Sequence, residues 1–207
     1  MKDLLIKKLR ELAKNVKGIV VSDFVYGVIT DNVLKEINLL AKKYSLMIFG
    51  DLQCSSQVGD ISTFKNFTLL CPNEKETRTA LKDNVSGLEK LSQKLIKLTN
   101  TEKLIMKLGA DGFISYESQN NKIRNYSLPA LSVNPVDVAG AGDSLLAVMS
   151  IGLSSNQSMF CSSVIASCMA SLAVDTMGNL PITKKQLISK IVNVFDSEKR
   201  KVSGHRK

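Results

Sequence analysis

Tryptophan is absent from this 207-residue chain, histidine occurs once, at His205, and the four cysteines (Cys54, Cys71, Cys161 and Cys168) show no paired short spacing. A Ser-His-Asp or Cys-His triad would have to recruit that one histidine near the end of the chain, and a zinc site has no ligand pattern to build on. Cys161 and Cys168 lie on an expected helix and read as small core residues, and the cysteine usage suits a reducing compartment. Apolar runs of about eighteen residues are missing, and the charged, periodic N-terminus has no signal-peptide core. The expectation is a soluble cytoplasmic protein that does not engage a membrane. Internal repeats and low-complexity segments are also lacking, and 44% hydrophobic residues suffice for one sizeable core. Acidic residues are the scarcer charge, 19 against 28 Lys+Arg, for a net +9. Part of the excess sits at Lys7, Lys8 and Arg10 and part in a basic tail over 199–207. No reader motif with interleaved aromatics accompanies it, so nucleic acid is not an expected partner. Anionic small substrates such as nucleotides or sugar phosphates account for the charge equally well.

What the chain does contain is a regular alternation. The apolar spacing predicts a helix from Lys2 to Lys14, then a strand at Gly18–Phe24, a helix from about Thr30 to Tyr44 and a strand at Ser45–Asp51. A strand at Phe67–Pro72, a helix from near Asn73 and another over Gly87–Leu98 follow. Leu104–Gly109 and Gly112–Glu117 read as strands joined by a hairpin-like turn, with an edge strand at Lys122–Tyr126. Helices are expected at Ser144–Gly152, Met159–Asp175 and Lys184–Phe195. Continuous apolar strands alternating with helices predict parallel α/β layers in a single domain, 1–207. Ligands of such sheets collect beyond the carboxyl ends of the strands, where Asp23, Asp51, Asn73, Gly109 and Asp143 all fall.

The stretch NPVDVAGAGDSLLAVM (Asn134–Met149) places Gly-Ala-Gly-Asp directly before an apolar helix. Such a turn aims unpaired N–H groups and the positive end of the helix dipole at an anion. Asp143 is then either the N-cap of that helix or a functional carboxylate. Asn73 and Glu76, three residues apart at a helix start, read either as a capping box or as oxygen ligands for a hydrated Mg²⁺. Gly109 and Gly112 are either simple turn glycines or positions where a ligand approaches the backbone.

Three ordered stretches, CPNEKE (Cys71–Glu76), KLGADG (Lys107–Gly112) and DVAGAGDS (Asp137–Ser144), resemble the signatures of the ribokinase-like, PfkB carbohydrate kinases. The resemblance extends from about Gly18 to Ile182, and VVSDFVYGVIT (Val20–Thr30) is similar to an element of the sugar-phosphate branch that includes heptose-phosphate kinases. It implies a three-layer α/β/α sandwich with a mainly parallel, Rossmann-like sheet, and ATP-dependent phosphorylation of a sugar or sugar-phosphate hydroxyl. Asp143 would be the general base, and Gly140, Ala141 and Gly142 would give backbone donors to the developing charge. Asn73 and Glu76 would hold Mg²⁺. Lys107, Gly109, Gly112, Ser167 and Gly178 would bind the nucleotide, with Lys107 either reaching a phosphate or pointing into solvent. Asp137 would organise phosphate or a monovalent cation, although Val138 and Ala139 lack the hydroxyl many relatives carry. Tyr26 stands where that branch has a lysine, and Asp51 matches its strand-end acid, with Gln53 and Ser55 as polar neighbours.

Nothing in Met1–Lys17 resembles the acceptor-binding and β-lid portion with which such kinases begin. The resemblance therefore implies an N-terminally truncated kinase domain whose remaining segment lies on another chain or was lost, and a sheet edge and apolar surface exposed by the truncation would favour a homodimer. A catalytically incomplete nucleotide-binding or assembly module derived from such a kinase is the alternative reading.

Overall fold

The computed structural model describes residues 2–53, 59–119, 122–132, 135–178 and 180–204; Cys54, Ser55 and His205, named above, lie outside them. Among these the chain runs α1 (Lys2–Leu12), β1 (Gly18–Asp23), α2 (Asp31–Tyr44), β2 (Met47–Leu52), β3 (Leu69–Leu70), α3 (Glu74–Leu81) and α4 (Leu88–Thr99). It continues with β4 (Lys103–Lys107), β5 (Phe113–Gln119), β6 (Lys122–Leu128), α5 (Ala141–Ser154), α6 (Met159–Val174) and α7 (Lys184–Gly204). The six strands form one sheet in sequence order, β1-β2-β3-β4-β5-β6. The first four are parallel, and β4, β5 and β6 form an antiparallel meander. This is the mainly parallel sheet expected from continuous apolar strands joined by helices.

Side chains alternate across a strand, so each buried strand serves two cores. Val21, Ile48, Leu52, Leu70, Leu104 and Met106 pack with Val33, Leu34 and Ile37 of α2 and Leu95 and Ile96 of α4. Phe49, Leu69, Cys71 and Ile105 point the other way, onto Leu145, Leu146, Met149 and Leu153 of α5 and Met159 and Ala166 of α6. Three layers result. Burying each such side chain removes about 1.5–3 kcal/mol of unfavourable hydration. On the first face α1 joins the core through Leu5, Ile6 and Leu9, and Arg10 reaches both carboxylate oxygens of Glu36 on α2 at 2.7 Å.

Some expectations are corrected. β3 is confined to Leu69 and Leu70, shorter than the six-residue apolar run predicts. Phe67 on its N-terminal side stacks on Phe64 with ring centroids 5.0 Å apart, and Pro72 on the other has no N–H for a ladder. Helix α7 continues past Phe195 to Gly204. Cys161 is exposed on α6, and only Cys168 of that pair is a core residue. No helix among the described residues is long and apolar enough to cross a membrane.

Candidate active site

The alternation that divides the two cores also produces a polar layer. One step beyond Phe49, Leu69 and Ile105, toward the carboxyl ends of their strands, the same face presents Asp51, Cys71 and Lys107. Ser22 of β1 is the register partner of Asp51. Above this layer sits the first turn of α5. Gly140 takes φ 77°, a left-handed conformation suited to glycine, and is the N-cap. The first bond of the helical ladder runs from Ser144 N–H to Gly140 O at 2.9 Å, so the amides of Gly142 and Asp143 precede it. Ala141 N–H faces Val138 O at 3.5 Å, which leaves Gly142 and Asp143 as the better placed donors.

Asp143 therefore stands inside the helix, three residues past the cap, and the N-cap alternative for it is withdrawn. Its Oδ1 accepts from Gln53 Nε2 at 2.9 Å and from Ser22 Oγ at 3.2 Å. Oδ2 has no hydrogen-bond partner among the described residues. Gln53 lies just beyond β2 and Ser22 in β1, so two neighbouring strands fix one oxygen of the carboxylate and leave the other. The sequence reading passed over Ser22. The one signal the sequence carries is that Ser22 and Asp23 are polar at the carboxyl end of an otherwise apolar strand.

Asp51 is fully buried. Its oxygens accept from Lys107 Nζ at 2.7 and 2.8 Å, and Oδ1 also accepts the Leu52 N–H at 3.0 Å. Burial raises the Asp51 carboxyl to about 6, against the lowering effect of Lys107. Burial opposes the charge on Lys107, yet the Asp51 carboxylate and the negative charge of Glu76 hold its ammonium above the ordinary value. Burial, with Asp51 adding to it, pushes the Cys71 thiol up and keeps it protonated and inert. The open-solvent alternative for Lys107 is thereby corrected: the ammonium points into a buried ion pair with Asp51. A Cβ built on Gly142 would lie 3.4 Å from both Asp51 Oδ2 and Lys107 Nζ, so the α5 turn rests directly on that pair.

Asn73 and Glu76 form the capping box of α3. Asn73 Oδ1 accepts the Glu76 N–H and Glu76 Oε2 accepts the Asn73 N–H, both at 2.8 Å. Asn73 bridges to Lys107 in parallel register, which puts the box beside the Asp51–Lys107 pair. The oxygens are hard donors of the kind Mg²⁺ takes, and an ion that keeps several waters needs few protein ligands. Among the described residues no group of three His, Cys, Asp or Glu side chains converges to hold an ion by itself. Capping is the role the geometry displays, and a hydrated Mg²⁺ would have to share these groups with it.

The remaining candidates fall in two places. Gly109 (φ 61°) has nothing within 4 Å of a built Cβ, whereas one on Gly112 (φ 88°) would meet Leu128 O at 2.2 Å. Gly112 is thus a packing glycine against the end of β6. Ser167 is buried on α6 and donates to Pro129 O at 3.4 Å. Asp137 accepts from Ala139 N–H at 2.9 Å and from Gly178 N–H at 3.2 Å, tying the turn before α5 to the loop after α6. A monovalent cation at Asp137 would compete with those two amides.

The chain matches the model of the pfkB family carbohydrate kinases over residues 1–185. The bifunctional protein HldE of Campylobacter jejuni subsp. jejuni serotype O:6 is 32% identical over 199 residues, which cover 95% of this chain and 41% of that protein. HldE of Geotalea uraniireducens is 25% identical over 189 residues, 90% of this chain and 37% of that one. The chain thus spans about two fifths of the length of these relatives. Escherichia coli phosphofructokinase-2 in complex with potassium superposes with a TM-score of 0.76 at 17% identity, covering 93% of this chain and 63% of its own. Arabidopsis thaliana ribokinase complexed with ribose and ATP gives 0.74 at 20% identity, with 92% and 59% covered. The layered sheet, the glycine turn on its polar end and the family match over most of the sequence lead to one conclusion: the chain belongs to the pfkB family of carbohydrate kinases.

Proposed function

We propose that this chain carries the phosphotransfer site of an ATP-dependent kinase acting on a hydroxyl of a sugar or sugar phosphate. The observation that carries the reading is Asp143, with Oδ1 anchored by Gln53 and Ser22 and Oδ2 left to a reactant, beside the amides that open α5. In the reaction Oδ2 accepts the proton of the acceptor hydroxyl while its oxygen bonds to the γ-phosphorus of ATP. The bond from that phosphorus to the β,γ-bridging oxygen breaks, ADP departs with the electron pair, and Asp143 returns the proton to water. A positioned base of this kind contributes roughly 10²–10⁴-fold. The amides of Gly142 and Asp143, with the helix dipole behind them, stabilise charge on the transferring group. Asn73 and Glu76 are the residues that would hold Mg²⁺, whose chemistry is to neutralise charge on the nucleotide phosphates. A sugar-phosphate acceptor is favoured by the resemblance of Val20–Thr30 to that branch and by the net charge of +9.

The test is ADP release from Mg-ATP over a panel of sugars and sugar phosphates, with Asp143→Asn as the comparison. Acceptor-dependent turnover that drops at least about 10²-fold in the variant, at unchanged melting temperature, is the expected result. Binding of ATP with no acceptor-dependent turnover would sink the enzyme reading and leave a nucleotide-binding module.

A further inference from the structure

The basic run near the end of the chain has no part in the reaction as written, and the helix that carries it is unusual. Six Lys or Arg residues against two acids lie on α7. Its apolar residues fall on two lines. Leu187, Ile191 and Val194 follow one helical line and are half-buried, on a helix that packs against α6. Ile188, Val192 and Phe195 follow a second, at i, i+4 and i+7, and are 50%, 51% and 54% exposed. No described side chain of α7 is buried, and none joins either core. Lys185, one turn before Ile188, is exposed on the same side, and Lys199 continues the line one turn after Phe195. Among the described residues no helix can cross a bilayer, which says nothing against a helix that lies on its surface.

We propose that α7 docks on the surface of an anionic lipid bilayer through Ile188, Val192 and Phe195, with its cations at the level of the headgroups. The inference stands apart from the kinase reading. Other occupants satisfy only half of the chemistry. A second copy would set two cationic helices side by side, which their like charge opposes. Nucleic acid would answer the cations and leave Ile188 and Val192 in water. An anionic bilayer answers both, because apolar side chains sink to the boundary between headgroups and acyl chains while lysine stems lie along it and keep their ammonium groups wet. Each cation held near such a surface raises partitioning about fivefold, so the run Lys199-Arg200-Lys201 on the last turns of α7 supplies about a hundredfold. The apolar line supplies what charge alone cannot, attachment that survives salt.

Co-sedimentation of the full chain with vesicles tests this, using phosphatidylcholine alone and equal parts of phosphatidylcholine and phosphatidylglycerol. Wild type is expected to sediment with the anionic vesicles and to stay in solution with the neutral ones, a readout that needs no variant to fold. The chain has no tryptophan, so Phe195→Trp installs a single reporter whose emission should move to shorter wavelength with anionic vesicles only. Val192→Glu changes an exposed position and should abolish sedimentation at an unchanged melting temperature. Replacing Lys199, Arg200 and Lys201 by glutamine should lower partitioning about a hundredfold. Asp143→Asn should bind vesicles as wild type does, so loss of turnover and loss of docking are read separately. Wild type left in solution by anionic vesicles, equal sedimentation with neutral ones, or binding that survives Val192→Glu would overturn the proposal. So would an emission already at short wavelength without vesicles in a chain that light scattering shows to be a dimer, because a second copy would then cover the line. Retention on polyglutamate without vesicle binding would also overturn it, in favour of an acidic protein face.

Discussion

Replacing Asp51 and Lys107 together, by asparagine and methionine, removes two buried charges while keeping the approximate volume, and the difference from wild type isolates the pair. Its pH dependence has a definite sign. Burial lifts the Asp51 carboxyl from an ordinary 3.8 to about 6 in the folded chain. Between those values the native state holds a proton that the unfolded state has released, so unfolding releases it, and wild-type stability rises as the pH falls through this window. The full effect is 6 − 3.8, a little over two pH units, or roughly 3 kcal/mol. Lys107 stays charged throughout, since its partners hold it above its ordinary value. Urea unfolding at pH 7, 6, 5 and 4 should therefore show wild type gaining roughly 2–2.5 kcal/mol on the double variant by pH 4, nearly all of it between pH 6 and 4, with the remainder of the full effect below that. A flat difference, or one that moves against wild type in acid, would mean that the ion pair outweighs burial at Asp51 and would refute this reasoning.

Alanine at Gly112 should cost about 3 kcal/mol or more, because a Cβ there combines a left-handed φ of 88° with a 2.2 Å approach to Leu128 O; a melting temperature within a degree or two of wild type would contradict the packing role. Asn73→Ala removes the side-chain half of the α3 capping box and should cost about 1–2 kcal/mol in chemical denaturation. An additional loss of Mg²⁺-dependent activity at temperatures where the variant is folded would show that the residue serves the ion as well. Gln53→Leu deletes the shorter of the two bonds to Asp143 and should lower kcat about tenfold while leaving KM and the melting temperature in place. Unaltered kcat would show that Ser22 alone orients the base.

Elements with a clear period were legible in advance. The apolar spacing located every major helix and strand, and the turn signals at Gly109–Gly112 marked the antiparallel hairpin between β4 and β5. The capping box could be read because its two halves are three residues apart. Asp143 was ambiguous because helix entry across Gly-Ala-Gly-Asp depends on which glycine turns left-handed, and Gly140 does. The Lys107–Asp51 pair was illegible for a different reason: the partners are 56 residues apart and meet across the end of β3, so only the sheet order brings them together. Ser22 follows the same rule, 121 residues from Asp143. Local pattern reports which residues face a layer, and the register between strands decides which of them touch.

That strand order has a consequence in time. Because no later strand inserts between earlier ones, a chain emerging from its N-terminus can add each strand to an edge already waiting for it, from β1 through β6. Ser22, Asp51, Cys71 and Lys107 are then assembled side by side before α5 has been made. Until α5 arrives, that end of the sheet is open to water and the two charges remain hydrated. Docking of the glycine turn is the event that dries them, so the energetic penalty of the charged layer falls late in folding, on the same step that completes the site.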